Sequence, residues 1–146
     1  MGQVRHATAH WSGDLLSGGG AVSAASSGIF AEQAITWRAR TEASEGKTSP
    51  EELLAAAHAA CFSMALSHQL AQAGHAPERV DVTVEVGADK AEAGWTVMSS
   101  HITVRASVPG VDAALFQEKA EAAKAGCPIS RAISGSVAIT LDAALE

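Results

Sequence analysis

The fold is decided by the stretch from Ser49 to Gly74, which reads SPEELLAAAHAACFSMALSHQLAQAG. Ser49 is a preferred N-cap residue, Pro50 suits the first helical position, and Glu52 stands three residues after the cap, as a capping box requires. Gly74 is suited to the left-handed conformation that ends many helices. The sequence therefore predicts one long helix that starts after Ser49 and ends at about Ala73.

The middle of this helix is apolar or small on every side. From Leu53 to Leu66 the run is interrupted only by His58 and Ser63, and a helix without a polar face is typical of a position that is buried on all sides. A chain of 146 residues suits a single domain, 1–146, but has little material to surround such a helix. We therefore expect a homodimer in which the partner covers one flank.

Outside this helix, period-two patterns predict strands, and capping residues predict two further helices. Ile35–Glu42 alternates, with Arg38 and Arg40 together on its polar side, and is expected to be a half-buried strand. The other expected elements, in chain order, are a turn and short strand within Ser17–Ser27, an antiparallel hairpin of Val80–Val86 and Ile102–Val108, a helix capped by Asp112 and ending at about Lys124, a short helix from Cys127-Pro128 to about Ile133, and a last strand over Val137–Leu141. Strands grouped apart from helices indicate an α+β fold.

Charge and hydropathy exclude several classes of protein. The formal net charge is −6, and the sequence has no basic stripe of the kind that binds nucleic acid or anionic lipid. Met1–His10 has no apolar segment of signal-peptide length, and the run Leu53–Leu66 is shorter than about 18 residues, the length needed to cross a bilayer. We expect a soluble, cytoplasmic protein with no nucleic-acid or membrane partner. In that reducing compartment, two cysteines are packed apolar residues, metal ligands or redox groups rather than a standing disulfide.

The two cysteines differ in their expected surroundings. Cys61 lies in the middle of the long helix, where a small core residue is the plain interpretation, because free cysteine is among the most buried residue types. Cys127 precedes Pro128 at the start of a helix, where free N–H groups and the positive end of the helix dipole stabilise a thiolate. Since cysteine is not a preferred capping residue, its position there favours a chemical role.

A reactive Cys61 needs a cation nearby. A thiol with the ordinary pKa of about 8.5 is about 3% ionised at neutral pH, and lowering that pKa to about 6 requires about 3.4 kcal/mol of preference for the anion. Burial acts in the opposite direction, so Arg38 or Arg40 is the expected supplier, held in place by the Glu51 carboxylate. Ten residues separate Glu51 from Cys61, which is about 15 Å along a helix. Either the arginine spans that distance, the helix bends, or one group comes from the other subunit; we favour a site at the dimer interface.

His58, one turn before Cys61, has two interpretations: it stabilises a thiolate, or it is a buried imidazole with satisfied nitrogens. The other histidines show no metal-binding spacing with the cysteines, and no CxxC or HExxH pattern occurs, so no metal site is expected. No glycine-rich phosphate loop follows a strand, and no GxSxG motif occurs. From the residues alone, two interpretations stay open: a thiol enzyme, and a non-catalytic small-molecule-binding or structural stress dimer with packed cysteines.

Two motifs in the chain resemble those of the OsmC/Ohr family, named for osmotically inducible protein C and organic hydroperoxide resistance. Thr48–Leu66, TSPEELLAAAHAACFSMAL, resembles the central helix of OsmC proteins, and Gly126–Ala132, GCPISRA, resembles their second cysteine motif. The order of elements agrees from Ala9-His10-Trp11 to the last strand, and the segment HAACFS favours the OsmC branch over Ohr. The resemblance implies an intertwined homodimer, with antiparallel sheets packed around the long central helix and two interfacial active sites.

The resemblance also implies roles for individual residues. It makes Cys61 the peroxidatic cysteine, Cys127 the resolving cysteine and Glu51 the acid that orients an arginine. That arginine best matches Arg40, because Arg40–Glu42 resembles the family's Arg-Phe-Glu with the aromatic residue replaced; Arg38 is the second candidate.

The implied activity is the reduction of organic hydroperoxides, and less well of hydrogen peroxide, during oxidative and osmotic stress. A Cys61 sulfenic acid would condense with Cys127 to a disulfide, and a dithiol would reduce that disulfide by exchange. Proteins of the family use no metal, flavin or haem, so no cofactor is expected. Similar proteins are often re-reduced by lipoylated partners, which makes a lipoylated protein one expected reductant.

Overall fold

A computed structural model describes residues 2–146, which form two compact units. The first unit ends at Leu53 and the second begins at Leu54. The first contains a three-stranded antiparallel sheet and a short helix: β1 (Thr8–Ser12), β2 (Gly19–Ser23), β3 (Gln33–Ile35) and α1 (Trp37–Thr41). The short strand expected within Ser17–Ser27 is β2, so that prediction is confirmed.

The expected strand over Ile35–Glu42 is wrong. β3 stops at Ile35, and from Trp37 the chain forms helix α1. Thr36 is the N-cap of α1: its backbone is extended, and its hydroxyl accepts a hydrogen bond from the N–H of Ala39 at 3.1 Å. With this cap, the chain changes from extended to helical within one residue. The apolar and polar residues still alternate across this change, and for that reason the sequence pattern indicates one continuous strand.

Because α1 is helical, Arg38 and Arg40 do not share a face. Two residues correspond to about 200° of rotation around a helix. Arg38 is exposed, whereas Arg40 is half-buried. The expectation that both arginines lie on one polar face is therefore wrong.

The second unit contains most of the long helix, a second sheet and two further helices. The long helix is α2 (Pro50–Gln72), which begins in the first unit; the other elements are β4 (Arg79–Ala91), β5 (Gly94–Ser107), α3 (Ala113–Gly126), α4 (Pro128–Ile133) and β6 (Ala138–Leu145). β4 and β5 pair antiparallel, as expected, but β6 pairs parallel to β5. The sheet, ordered β4-β5-β6, is therefore mixed and not antiparallel throughout, because α3 and α4 form the crossover that a parallel pair requires.

α2 begins and ends where its capping residues predict. The Ser49 hydroxyl accepts a hydrogen bond from the N–H of Glu52 at 3.1 Å. The Glu52 carboxylate accepts a hydrogen bond from the Thr48 hydroxyl at 2.7 Å. The Glu52 side chain therefore binds the residue that precedes the N-cap. The helix ends at Gln72, and Gly74 follows with a φ of 85°, in the left-handed region.

α2 is buried along one stripe. His58, Phe62, Leu66 and Leu70 follow one another at intervals of four residues, and each is 0% exposed. Phe62, Leu66 and Leu70 pack in a core that also contains Ile102, Val104, Ala106, Phe116, Ala120 and Ala123. Met64, on another face of the helix, is 67% exposed. The burial on all sides that the sequence predicts is therefore not found within one chain.

By length and composition alone, α2 could cross a membrane. The expectation that the run Leu53–Leu66 is too short does not extend to the whole helix, Pro50–Gln72. The core helix of a soluble protein passes the same test, and the buried stripe of α2 shows that it is a core helix of the second unit.

Candidate active site

Cys61 and Cys127 lie together in the second unit. Cys61, on α2, is half-buried and packs against the core cluster, which includes the fully buried Cys127 at the start of α4. Both are free thiols, and each affects the pKa of the other. The structure therefore brings together the two cysteines that the sequence singles out.

Cys127 stands at the junction of two helices. Its N–H donates to the Ala123 carbonyl at 2.8 Å, at the end of α3, and its own carbonyl accepts from the Arg131 N–H at 2.9 Å, in the first turn of α4. Pro128 takes the first position of α4, as expected. The thiol is not in a capping hydrogen bond of standard geometry, but its position is that of the capping side chain.

The two thiols differ in their tendency to ionise. Burial, together with the hydrogen bond to Cys127, raises the pKa of Cys61. Burial alone would also raise the pKa of Cys127, but the hydrogen bond from Cys61 and the N–H and hydroxyl groups of Ser130 outweigh it and lower that pKa. Within one chain, a negative charge is thus favoured on Cys127, whereas the sequence-based mechanism needs it on Cys61.

Arg40 and Glu51 form an ion pair in the first unit. The Nε of Arg40 lies 2.9 and 3.1 Å from the two carboxylate oxygens of Glu51, and its Nη2 lies 2.8 Å from Oε1. The side chains are 29% and 11% exposed, so the pair is more shielded from solvent than an ordinary surface pair. The Trp37 ring centre lies 5.8 Å from the guanidinium carbon, within cation–π distance. α1 and the first turn of α2 thus hold this guanidinium in place.

Arg38 lies in different surroundings. Its Nε is 3.0 Å from Glu42 and its Nη2 is 3.8 Å from Glu45, and all three side chains are more than half exposed. Exposed ion pairs of this kind contribute little to stability. Of the two candidate arginines, it is Arg40 that forms an ion pair with Glu51.

An apolar recess of about 190 Å³ borders Arg40 in the first unit. It is lined by Trp11, Leu15, Ile35, Thr36, Trp37, Arg40 and Pro50. Its wall is mostly hydrocarbon, and Arg40 contributes its one charged group. The sequence did not predict this recess, because the strand expected over Ile35–Glu42 would have separated these side chains.

His58 is a buried imidazole with both ring nitrogens in hydrogen bonds. Its Nδ1 lies 2.7 Å from the Ser100 hydroxyl and its Nε2 lies 2.7 Å from the Ser130 hydroxyl. Burial lowers the pKa of His58, which favours the neutral ring. Because no ring nitrogen is left for the Cys61 thiol, the satisfied imidazole is the interpretation that agrees with the geometry.

Sequence reasoning missed Ser100 and Ser130 as functional candidates. Ser100 continues the row of Ile102 and Val104 on the buried face of β5, so it is a polar residue in an apolar row. Ser130 follows Cys127 by three residues, the spacing of neighbours on one helical turn. Both signals are present in the sequence, but neither indicates that the partner of these serines is His58.

The candidate residues form two clusters. Arg40 and Glu51 belong to the first unit, whereas Cys61, Cys127 and His58 belong to the second. Within residues 2–146, no group of three or more His, Cys, Asp or Glu side chains is placed to hold a metal ion.

Comparisons with known proteins agree with these motifs. The family model described as OsmC-like protein matches residues 43–142. Peroxiredoxin OsmC of Escherichia coli is 44% identical over 138 residues, which cover 94% of each chain. The organic hydroperoxide resistance protein OhrA of Bacillus subtilis is 35% identical over 111 residues, or 72% of this chain and 73% of the relative. The crystal structure of OhrB of Bacillus subtilis has a TM-score of 0.73 with this structure at 26% identity, covering 95% of this chain and 98% of that one.

Proposed function

Because the chain belongs to the OsmC-like family, we propose that it is a thiol-dependent peroxidase that reduces organic hydroperoxides. The observation that carries the proposal is the pair of free thiols, Cys61 and Cys127, which lie together at one core cluster. Two thiols in contact can deliver two electrons to a peroxide and end as a disulfide. The names of the relatives, peroxiredoxin and organic hydroperoxide resistance protein, support the same chemistry.

In the first step of the proposed reaction, Cys61 is the nucleophile. Its thiolate attacks the terminal oxygen of the hydroperoxide, the O–O bond breaks, and the organic fragment leaves as an alcohol after taking up a proton. Cys61 becomes a sulfenic acid, and the peroxide receives two electrons. Since burial raises the pKa of Cys61, this step requires a cation close to the sulfur.

We assign that cation to Arg40. Glu51 holds its guanidinium by hydrogen bonds to both Nε and Nη2, so the charge is fixed before the substrate arrives. A fixed guanidinium would stabilise the thiolate and also the negative charge that builds on the departing oxygen. Glu51 and Cys61 are ten residues apart on α2, about 15 Å along a helix. The proposal therefore requires that the guanidinium of Arg40, from the same chain or from the partner subunit, lies close to the Cys61 sulfur.

In the second step, Cys127 attacks the sulfenic acid of Cys61. The S–O bond breaks, a disulfide forms and water leaves, which protects Cys61 from irreversible oxidation. A dithiol reductant, such as a lipoylated protein, then restores both thiols by exchange. No metal, flavin or haem takes part in these steps, and the reducing cytoplasm is the compartment that suits them.

We also propose that the working form is an intertwined homodimer, in which each chain contributes a single OsmC-like domain, 1–146. The exposed flank of α2, which includes Met64 at 67% exposure, is an apolar surface on a helix whose other side is buried. A helix face that lacks charged side chains and is left uncovered by its own chain supports an interface with a second copy.

The apolar recess beside Arg40 favours an organic substrate over hydrogen peroxide, because it can hold a short hydrocarbon group next to the guanidinium. Turnover with tert-butyl hydroperoxide, a lipid hydroperoxide and hydrogen peroxide, each with dihydrolipoamide as reductant, tests this specificity. A strong preference for hydrogen peroxide would refute it.

The peroxidase itself is tested by mass spectrometry after treatment of the reduced protein with an organic hydroperoxide. We expect the wild-type protein to lose two hydrogens, Cys127→Ser to retain a trapped sulfenic acid, and Cys61→Ser to stay unchanged. Unchanged thiols in the wild-type protein would contradict the proposal and favour a binding dimer with packed cysteines.

A further inference from the structure

The turn that joins β1 to β2, residues 13–18, carries two leucines, and one of them lines the apolar recess beside Arg40. Leu15 is 53% exposed and Leu16 is 77% exposed. Leu15 is part of the recess wall, and Leu16 is not. Turns are made mainly by Gly, Pro, Asn, Asp and Ser, so the turn itself does not require a leucine. The side chain of Leu15 is therefore available for a role at the recess.

Asp14 holds this turn in place. One carboxylate oxygen of Asp14 accepts hydrogen bonds from the N–H groups of Leu16 and Ser17, both at 2.9 Å. The Asp14 carbonyl accepts another from the N–H of Gly18, also at 2.9 Å. A side chain at Gly18 would collide with this carbonyl oxygen, so the glycine allows the turn to close. These contacts fix the backbone on both sides of Leu15 and, with it, the place of the Leu15 side chain.

Aromatic rings form much of the remaining wall of the recess. Trp11 donates its indole N–H to the Gly13 carbonyl at 3.1 Å, and the Trp37 ring lies within cation–π distance of Arg40. Both rings line the recess, which has a volume of about 190 Å³. An engineered apolar cavity of about 150 Å³ in another protein binds benzene. The recess can therefore hold a hydrocarbon group of about the size of a benzene ring.

The guanidinium of Arg40 makes part of this wall polar. Its Nε and Nη2 donate to Glu51, and its Nη1 makes no hydrogen bond within residues 2–146. Nη1 can therefore donate to an oxygen of a bound molecule. A molecule that combines a compact hydrocarbon part with oxygen atoms at one end fits these surroundings, and an organic hydroperoxide is such a molecule.

We propose that Leu15 is a specificity-determining residue, which packs on the hydrocarbon group of a bound hydroperoxide while Arg40 binds the peroxide oxygens. The substrate class is hydroperoxides with a compact aromatic or branched hydrocarbon group, of which cumene hydroperoxide is an example. The inference rests on the proposed function and deepens it, because it names the group that the recess holds and the side chain that selects this group.

Steady-state kinetics with cumene hydroperoxide, tert-butyl hydroperoxide and hydrogen peroxide, each with dihydrolipoamide, test the inference. Leu15→Ala removes apolar contact with the phenyl ring, and one missing methylene group in an enclosed pocket is worth about tenfold or more. Because Leu15 is half exposed, we expect a smaller loss: the ratio of kcat/KM for cumene hydroperoxide to kcat/KM for hydrogen peroxide falls about fivefold. The loss should be mainly in KM, as for binding energy that is lost equally from substrate and transition state. The ratio for tert-butyl hydroperoxide should fall less, because its hydrocarbon group is smaller.

Leu16→Ala is the matched control, because it makes the same change at the neighbouring residue, outside the recess. It should keep the wild-type ratio of the two kcat/KM values. Leu15→Met retains a side chain of similar volume and should keep most of the ratio that Leu15→Ala loses.

A binding measurement makes the test independent of turnover. The alcohol that cumene hydroperoxide yields, 2-phenyl-2-propanol, is titrated into Cys61→Ser, which lacks the proposed nucleophile. We expect a saturable change in tryptophan fluorescence, because Trp11 and Trp37 line the recess. Adding Leu15→Ala to Cys61→Ser should raise the Kd of the alcohol about fivefold, and adding Leu16→Ala should leave this Kd unchanged.

The inference is overturned if Leu15→Ala keeps the wild-type ratio, or if Leu16→Ala changes the ratio as much as Leu15→Ala does. It is also overturned if the alcohol binds Cys61→Ser equally well with and without Leu15→Ala. A wild-type protein that binds the alcohol but consumes no hydroperoxide would instead refute the proposed function, so the two failures are distinguishable.

Discussion

Arg38 and Arg40 have the same charge, but different surroundings. Arg40 forms an ion pair with Glu51, whose side chain is 11% exposed. The partners of Arg38, Glu42 and Glu45, are exposed. We predict that Arg40→Lys, which keeps the charge and loses the two-pronged hydrogen bond, slows peroxide consumption about 10²-fold, the loss typical for one stabilising donor.

Arg38→Lys is the matched control for this prediction and should change the rate by no more than about twofold, as expected for an exposed pair. Titration of the Cys61 thiol in the same variants gives a second measurement. We expect its pKa to be higher in Arg40→Lys than in the wild type. A larger effect of Arg38→Lys on either measurement would reverse the assignment.

His58 also makes folding sensitive to acid. Burial lowers its pKa from the ordinary value of 6.5, so the unfolded chain binds this proton at a higher pH than the folded chain does. The neutral His58 ring therefore contributes to the free energy of unfolding above about pH 6.5. This contribution is lost as the pH falls from there toward the pKa that His58 has in the folded protein. We predict that the free energy of unfolding in urea decreases between about pH 7 and pH 5 more steeply in the wild type than in His58→Gln.

His101→Gln is the control for the acid prediction and should keep the wild-type slope. Protein concentration is held constant, because unfolding of a dimer depends on it. The same slope in His58→Gln and the wild type would show that His58 does not titrate on unfolding.

At the scale of the elements, the cap of α2 is a separate source of stability. The Ser49 hydroxyl satisfies the N–H of Glu52, one of the N–H groups that a helix start leaves unpaired. We predict that Ser49→Ala lowers the free energy of unfolding by about 1 kcal/mol, and that Ser49→Gly lowers it by only a few tenths of that amount. Urea denaturation measures both, and an equal loss in the two variants would contradict the capping role.

The elements that were predictable from the sequence are those with long patterns or clear caps. α2, β4, β5, α3, α4 and β6 each have one or the other. α1 has five residues, too few for a helical period to appear, and its start depends on one hydrogen bond of Thr36. β1 is exposed along its whole length, so the alternation of its residues, Thr8–Ser12, does not correspond to a face packed on the core. The parallel direction of β6 follows from the path of the crossover, which residue patterns do not specify.

At the scale of the whole molecule, the sequence predicts the pairing of Arg40 with Glu51 and the proximity of the two cysteines, but not the other contacts around them. The need for a cation near Cys61 follows from the ionisation of a thiol, and the pairing of Arg40 with Glu51 agrees with that reasoning. The two serines that bind His58 lie 42 and 72 residues away in the chain. Such long-range contacts are set by packing of several elements, so a period or a cap does not indicate them.

The exposed face of α2 leads to the last prediction. Met64 is 67% exposed on a helix whose opposite stripe is fully buried, and the proposed homodimer covers this face. We predict that Met64→Glu shifts the protein from dimer to monomer in sedimentation velocity, because a charge placed in an apolar interface is left without a partner. Peroxide turnover should fall in proportion to the dimer lost. Gln72→Glu adds the same charge at the exposed end of the same helix and should leave both measurements unchanged; a wild-type protein that turns over peroxide as a monomer would contradict the proposed dimer.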